Sequence, residues 1–167
     1  MAAEELELNP VDFITIGTVG PKGKRVFYLQ AASGDQLVSL IIEKEQSWAL
    51  SEAIRELIDD IDKRLGDYAP PMHMDMELRD PIEPLFRISQ MGLGYDEDLD
   101  RVVLVAQALR VPEADNPLLN PQDDTPDIVR MWCSRAQMRA LSEHTITVVR
   151  SGRADPKQNG RLVYYWT

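Results

Sequence analysis

Apolar and polar residues follow two different periods along this chain, and the two periods occur in the same order in both halves. In the first half, three short runs are typical of strands because they alternate with polar residues or are continuously apolar. These runs are residues 13–16, 26–31 and 37–42. A helix is predicted from about Lys44 to Leu65, since apolar residues recur there every three or four positions, and Gly66 provides its C-terminal stop.

The second half repeats this pattern. Its strand-like runs and its predicted helix are residues 86–89, 101–108, 128–133 and 136–150. A seven-residue segment carries the match, because Gln46–Glu52 (QSWALSE) returns as Gln137–Glu143 (QMRALSE) and each copy opens a helix. The Arg-Val start and Gln-Ala end of the run at 101–108 also match residues 25–31. The chain is therefore predicted to contain two strand-strand-strand-helix repeats, at about 11–66 and 85–152.

Two such repeats most simply form one α+β domain, residues 1–167, whose largely antiparallel sheet carries both helices on one face. A half-open barrel of the same six strands is the alternative. Residues 67–84 are predicted to link the repeats, because their four prolines exclude a long helix or a central strand. Residues 161–166 (RLVYYW) have strand propensity but no partner in their own repeat, so they are expected to complete the sheet or to pair with a second copy of the chain.

Composition narrows the classes of function. The net charge of −10 repels phosphate backbones, so nucleic acid is not expected as a partner. No apolar stretch approaches the length of a membrane span, and the acidic N-terminus does not resemble a signal peptide, so the cytoplasm is the expected location. Cys133 is the single cysteine, which excludes an internal disulfide, and we expect it to be buried and inert.

The repeated glutamine supports two hypotheses. Ser134 and Gln137 fit a capping box with Ser134 as the N-cap, and Gln46 holds the same position after Glu43. Alternatively, the two helix N-termini lie together and hold a small anion with their backbone amides, helped by neighbouring cations. The candidate ligand-binding residues are Lys44, Gln46, Arg135 and Gln137.

Other motifs do not complete a recognisable site. Residues 17–24 lack the spacing of a P-loop, and residues 96–100 begin an EF-hand spacing that later positions break. Residues 72–76 (MHMDM) alternate soft ligands that suit Cu(I), but such runs more often cover apolar surface. His144 is expected to be a core or surface residue, because no nucleophile lies near it in the sequence. No catalytic residue, metal site or cofactor is therefore predicted.

Four segments carry a family resemblance: Phe13–Ala31 (FITIGTVGPKGKRVFYLQA), Glu43–Gln46 (EKEQ), Arg101–Ala108 and Ala136–Gly152. The chain up to Arg153 resembles an uncharacterised bacterial family, the domain of unknown function 3090. Many members end in a short Cys/His-rich tail that looks like a zinc knuckle, whereas this chain has no Cys or His after residue 153. The resemblance thus implies no zinc here. Members are often encoded beside phosphomutase-like and kinase-like proteins, and the resemblance implies no activity.

The lack of an acid–base pair at a meaningful spacing favours a non-enzymatic binding or adaptor protein. Its protein partner is expected to meet the exposed face of the sheet, the Pro-rich acidic loop at 110–127 or the strand at 161–166. The alternative is an enzyme or a sensor for a small anionic metabolite held between the two helix N-termini.

Overall fold

A computed structural model describes residues 5–21, 23–108 and 127–151, in which seven strands form one sheet beside two helices. In chain order the elements are β1 (Glu5–Leu8), β2 (Phe13–Val19), β3 (Val26–Ser33), β4 (Gln36–Ile42), α1 (Lys44–Leu65), β5 (Pro84–Asp96), β6 (Arg101–Ala108), β7 (Ile128–Cys133) and α2 (Arg135–Ser151). The strand predicted at 161–166 and all but the last residue of the loop predicted at 110–127 lie outside the described residues.

The strands follow the order β1-β7-β6-β5-β4-β3-β2 across the sheet. Neighbours within each half are antiparallel, in the sets β2-β3-β4 and β5-β6-β7. Two pairs are parallel: β4 with β5, where the halves meet, and β1 with β7 at one end of the sheet. The predicted α+β class with a largely antiparallel sheet is therefore confirmed.

One segment, which contains β1 and β2, reaches both ends of this sheet. After β1, the N–H of Val11 donates to the Trp132 carbonyl at 2.9 Å and so extends the pairing with β7. The N–H of Asp12 then donates to the Ala32 carbonyl at 2.8 Å, where β2 begins to pair with β3. The described strands β1 and β2 do not pair with each other. The sheet is therefore strongly curled but not closed.

Two strands differ from the sequence prediction. The lead-in before residue 13 contains β1, whose Leu8 is fully buried and pairs with Met131. β5 continues beyond the predicted run at 86–89 through Gly92 and Gly94, which the sequence pattern left outside any strand. Strand pairing determines both elements: β1 pairs with β7, which is distant in the sequence, and the glycine-containing end of β5 forms a hairpin with β6.

Both helices follow the predicted apolar stripes and end as expected. Gly66 adopts the left-handed conformation (φ 66°) that closes α1, as glycine does at many helix ends. The helices pack against each other, and one hydrophobic core includes side chains from both. The core residues on the helices are Leu50, Ile54, Ile58, Ile61, Met138, Leu141 and Val149. Burial of each such side chain stabilises the fold by roughly 1.5–3 kcal/mol.

The two halves share their element order, and strand pairing fixes which of their residues correspond. Because Gln46 matches Gln137, counting back six residues along both segments makes Leu40 the counterpart of Met131. Leu40 pairs with Leu29 and Met131 pairs with Leu104, so Leu29 corresponds to Leu104. This register lies one residue away from the match of the Arg-Val start and two residues away from the match of the Gln-Ala end that sequence identity indicates. Such a shift matters because it exchanges the buried and exposed faces of a strand.

The correspondence extends to the first strands of the halves. Leu29 pairs with Ile16 and Leu104 pairs with Leu93, so Ile16 corresponds to Leu93. Phe13 therefore corresponds to a residue of β5 beyond Phe86, the phenylalanine that the sequence pattern matched to it. Equivalent pairing in the two halves agrees with an internal duplication, whose origin in one copied ancestral segment stays a prediction.

The linker predicted at 67–84 also covers part of the sheet. The Thr15 hydroxyl donates to the Met76 carbonyl at 2.7 Å, which holds the linker against β2. A Cβ atom at residue 17 would lie 2.7 Å from Cγ of Leu78, so this close approach requires the glycine found there. The linker therefore packs as part of the domain, although it has no helix or strand before Pro84.

Candidate functional site

The four predicted ligand-binding residues lie in two places. Lys44 and Gln46 are in the first turn of α1, whereas Arg135, at the start of α2, contacts Asp62 in the last turn of α1 at 2.6 Å. A helix rises about 1.5 Å per residue, so Lys44 and Asp62 are about 27 Å apart along α1. At the other end, Arg25 lies beside the start of α1 and donates to the Ser151 carbonyl at the end of α2. The helices are antiparallel, and the structure does not bring the four residues together.

Gln46 and Gln137 perform the same structural task in the two halves. The Oε1 atom of Gln46 accepts a hydrogen bond from the backbone N–H of Glu43 at 2.8 Å, which forms one side of a capping box. The Oε1 atom of Gln137 accepts from the backbone N–H of Ser134 at 2.7 Å, and the Ser134 hydroxyl accepts from the N–H of Gln137. The capping hypothesis is therefore confirmed for both helices.

Each glutamine also binds a backbone carbonyl of the other half. The Nε2 atom of Gln46 donates to the Ile88 carbonyl at 3.0 Å, and that of Gln137 donates to the Val11 carbonyl at 2.7 Å. Val11 and Ile88 are corresponding residues, because counting back from Ile16 and Leu93 reaches them together. Both amide groups are thus engaged within the fold, which explains the repeated glutamine without a ligand.

Arg135 is the centre of a buried ion cluster. Its guanidinium donates to Asp62 Oδ1, to Asp100 Oδ1 and Oδ2 and to Asp67 Oδ2, over distances of 2.6–3.2 Å. A fifth bond reaches the Asp67 carbonyl at 2.8 Å, so all five guanidinium donors have acceptors. Arg139 donates to the second oxygen of Asp62 at 2.8 Å. The cluster joins both helices to the turn between β5 and β6 and leaves Arg135 no donor for a ligand.

The charges of this cluster are held in their ionised forms. Burial alone raises the pKa of Asp62, but hydrogen bonds from Arg135, the Ala69 amide and Arg139 outweigh it, so the pKa is lowered overall. The pKa of Asp100 is lowered chiefly by its hydrogen bond from Arg135, and the same bond is the main reason that the pKa of Arg135 is raised. Such a buried network usually serves the fold, because removal of one partner costs about 3–5 kcal/mol.

Lys44 lies in a separate polar cleft of about 430 Å³ at the start of α1. Arg25, Lys44 and Arg87 line it together with the carboxylates of Glu43 and Glu45. Arg87 forms an exposed ion pair with Glu43, and Arg25 contacts the end of α2. The cleft therefore gathers three cationic side chains in a chain of net charge −10.

A second cleft, of about 260 Å³, lies between α1 and β5 and is mostly apolar. We call it the α1–β5 cleft, and its lining residues are Ala49, Leu50, Ala53, Met91, Gly92 and Leu93. Gly92 and Ala53 are exposed, and a Cβ added at Gly92 would meet no atom within 4 Å. Apolar surface is thus accessible at a point where a helix faces a strand.

The corresponding seam in the other half, between α2 and β2, is filled. His144 corresponds to Ala53, and its half-buried ring lies beside the backbone of Ile16, which opposes the lowering of its pKa by burial. Ile14, Thr15 and Ile16 on β2 are each 0% exposed, whereas their counterparts on β5 are exposed or half-buried. The linker lies over the filled seam, because the Met72 N–H donates to the Ala136 carbonyl of α2 and Met76 accepts from Thr15 of β2. One seam is closed and its counterpart is open.

Comparison with known proteins agrees with the resemblance noted from the sequence. The pattern of a family described as "Protein of unknown function (DUF3090)" matches residues 6–159. The chain belongs to this family. No curated protein and no solved structure shows significant similarity to it. Membership of DUF3090 carries no assigned activity, so a function for this member has to be argued from its own residues.

Sequence reasoning missed the α1–β5 cleft of this DUF3090 chain, although one signal was present. Directly after the repeated segment, the second helix has His144 whereas the first has the smaller Ala53. The strand side of the cleft was hidden, because the predicted strand ended at residue 89, before Met91, Gly92 and Leu93. Among the described residues, no helix is long and apolar enough to cross a membrane.

Proposed function

We propose that this protein is a non-catalytic binding protein that holds an extended peptide of a partner protein in the α1–β5 cleft. The observation that carries the proposal is the open seam between α1 and β5, whose counterpart between α2 and β2 is filled and covered. An apolar seam between helix and strand is a common place for a peptide or ligand to bury side chains.

The cover of the filled seam indicates the chemistry of the peptide. Residues 72–78 (MHMDMEL) run over that seam with no helix or strand, held to α2 at Met72 and to β2 at Met76. Met74 packs against the hydrophobic core, and Leu78 contacts the position of Gly17. A partner for the open seam is therefore expected to be extended, with methionine or leucine side chains at alternate positions.

A binding role also agrees with the state of the one thiol. Cys133 is fully buried, and burial raises its pKa to about 12, so its thiol is not an available nucleophile in this conformation. The glutamines and Arg135 are engaged within the fold, as described above. These observations support binding rather than covalent catalysis.

The test uses a fluorescent peptide with the sequence MHMDMEL and anisotropy measured on the full chain, with a metal chelator present. Ala53→Leu fills the cleft from α1 and is expected to weaken binding roughly 10- to 100-fold, since it displaces a buried side chain that contributes roughly 1.5–3 kcal/mol. Glu56→Leu is the matched control, because it adds leucine to an exposed position of the same helix. It is expected to bind like the wild type.

Equal binding by Ala53→Leu and the wild type would contradict the proposal. So would failure of the full chain to bind this peptide or any member of a displayed library of apolar heptapeptides. A peptide that copies residues 161–167 (RLVYYWT) is the third probe. If it binds the cleft more tightly than the other peptides, the cleft belongs to the chain's own terminal residues or to a second copy, and the external partner is excluded.

A second candidate function is binding of a small anionic metabolite in the polar cleft at the start of α1. Its support is the convergence of Arg25, Lys44 and Arg87 on that cleft. Thermal shift with phosphorylated and carboxylated metabolites tests it, because a ligand at a hundredfold excess over its Kd stabilises by about 2.7 kcal/mol. A shift that Arg87→Ala abolishes would support this function, and no shift across the panel would oppose it.

Three further expectations stay predictions. A homo-oligomer formed through residues 161–166 rests on residues outside those described. The cytoplasmic location and the absence of a nucleic-acid partner rest on the composition and charge of the sequence.

A further inference from the structure

A shallow, open cavity of about 390 Å³ lies on the surface where the linker crosses α2, and both histidines of the chain line it. Its lining includes Met72, His73, Met74 and Met76 from the linker and Glu143 and His144 from α2. The sequence places these two groups about seventy positions apart, so only the fold brings the thioethers and the second imidazole together. None of these residues lines the α1–β5 cleft in which the peptide is proposed to bind.

The linker segment in this cavity is held at both ends. The N–H of Met72 donates to the Ala136 carbonyl at 3.0 Å, and the carbonyl of Met76 accepts from the Thr15 hydroxyl at 2.7 Å. Within the segment, the N–H of Glu77 donates to Asp75 at 3.0 Å. The backbone of residues 72–76 is therefore held at its two ends, between α2 and β2, which lowers the backbone entropy that a ligand would otherwise have to remove.

His144 has the arrangement of a metal-binding imidazole. Its ring is half-buried and lines the cavity together with the linker methionines. A neutral imidazole offers one ring nitrogen as a metal ligand and keeps the other as a hydrogen-bond donor. Histidines that bind metals commonly use that second nitrogen to bond to backbone or carboxylate oxygen, which fixes the orientation of the ring.

We propose that this cavity is a site for a soft monovalent cation, Cu(I), with ligands drawn from Met72, His73, Met76 and His144. Thioether sulfur and neutral imidazole together select Cu(I) over hard divalent cations. In the part of the chain that the structure describes, no three His, Cys, Asp or Glu side chains come together as a metal site. The donor set of the cavity is thus suited to a soft ion rather than to zinc or calcium.

Apolar packing accounts for only part of the methionine cluster. Met74 packs against the hydrophobic core and needs no further explanation. Met72 is 43% exposed and His73 is exposed, so neither side chain is explained by burial. Ligation of a cation explains why an exposed thioether and an imidazole accompany the buried methionine.

The proposal is tested by anaerobic titration of the full chain with Cu(I) in competition with bicinchoninate. We expect one Cu(I) per chain, and at least a hundredfold weaker affinity in the double variant Met72→Leu/Met76→Leu. Met91→Leu is the matched control, since Met91 is half-buried on β5 outside the cavity. A second measurement follows the methionine methyl signals by NMR during titration with Ag(I), which is not a redox reagent. Met72 and Met76 are expected to shift, and Met91 is not.

Three results would overturn the site. The first is unchanged Cu(I) affinity in Met72→Leu/Met76→Leu. The second is loss of binding in Cys133→Ala with retention in the methionine variant, which would assign the metal to the thiol. The third is equal affinity in the isolated peptide MHMDM and in the folded chain, because the proposal requires His144 from α2. His144→Gln is expected to weaken Cu(I) at least tenfold and to leave both methyl signals in their folded positions.

Discussion

Replacement of Gln137 or Gln46 by alanine tests how the repeated glutamines hold the two halves together. Each change removes one hydrogen bond to the N-cap backbone and one to a carbonyl of the opposite half. The environments differ, because the bond from Gln137 to Val11 is buried, whereas the bond from Gln46 to Ile88 is only partly buried. The same substitution therefore has two different expected costs within one chain.

The magnitude follows from the bonds that are lost. Each bond contributes a net of about 1 kcal/mol, and a buried carbonyl left without a donor costs a further 1–3 kcal/mol or so. Gln137→Ala leaves the buried Val11 carbonyl without a donor and is expected to lower the free energy of unfolding by about 3–5 kcal/mol. Gln46→Ala leaves the Ile88 carbonyl accessible to water, so its cost is expected to be about 1–2 kcal/mol.

The assay is equilibrium unfolding in urea, followed by tryptophan fluorescence and far-UV circular dichroism. Gln107→Ala, an exposed position on β6, is the matched control and is expected to change stability by less than about 0.5 kcal/mol. Gln137→Glu separates the two bonds, because it keeps an acceptor for the Ser134 N–H but places a carboxylate oxygen against the Val11 carbonyl. It is expected to be at least as destabilising as Gln137→Ala.

Two results would refute this reasoning. One is a cost for Gln46→Ala that equals or exceeds that of Gln137→Ala. The other is a stability of Gln137→Ala within about 0.5 kcal/mol of the wild type, which would mean that the bond to Val11 contributes nothing measurable.

Two further predictions concern the buried charge cluster and the thiol. Asp62→Asn is expected to lower the free energy of unfolding by about 3–5 kcal/mol. The pKa values of Asp62 and Asp100 are lowered in the folded state, so their ionised forms stabilise the fold. This stabilisation is present above the unfolded carboxyl pKa of about 3.9 and is lost as pH falls through the folded-state values. Urea unfolding between pH 7 and pH 2 should therefore show a smaller loss on acidification in Asp62→Asn than in the wild type, and parallel pH profiles would contradict this. Cys133, whose pKa burial raises to about 12, is expected to resist Ellman's reagent at pH 8 in the native protein and to react at once in urea; prompt reaction without urea would show that the thiol is accessible.

Local pattern was sufficient for the elements that make their own hydrogen bonds or carry a clear period. The bounds of α1 agree with the predicted helix, because its apolar stripe, its cap at Glu43 and its stop at Gly66 are all encoded within about one turn of where they act. The same is true of β6 and β7, whose apolar runs coincide with the observed strands. The repeated segment also predicted the common element order of the halves.

Elements that depend on pairing with another strand were not predictable in this way. β1 and the glycine-containing end of β5 exist because β7 and β6 supply the hydrogen bonds, and residues beside them in the sequence do not favour a strand. The register between β3 and β6 was misjudged by one residue at the start of the strands and by two at their end, because side-chain identity was compared without strand pairing. The separation of the helix starts was equally hidden, because it depends on the angle at which two helices pack.

The sequence by itself determined the α+β class, both helices, their caps and the doubling of one supersecondary pattern, since these depend on the period of apolar residues and on side chains within one turn. Tertiary structure alone decided which surfaces remain accessible. Curling of the sheet buries Ile14 and Ile16 beneath α2, leaves Met91 and Leu93 beside an open cleft and brings His144 to the methionines of the linker. The physical reason is that the burial of side chains and their convergence on one site depend on packing between segments that are far apart in the sequence. No single segment encodes that packing.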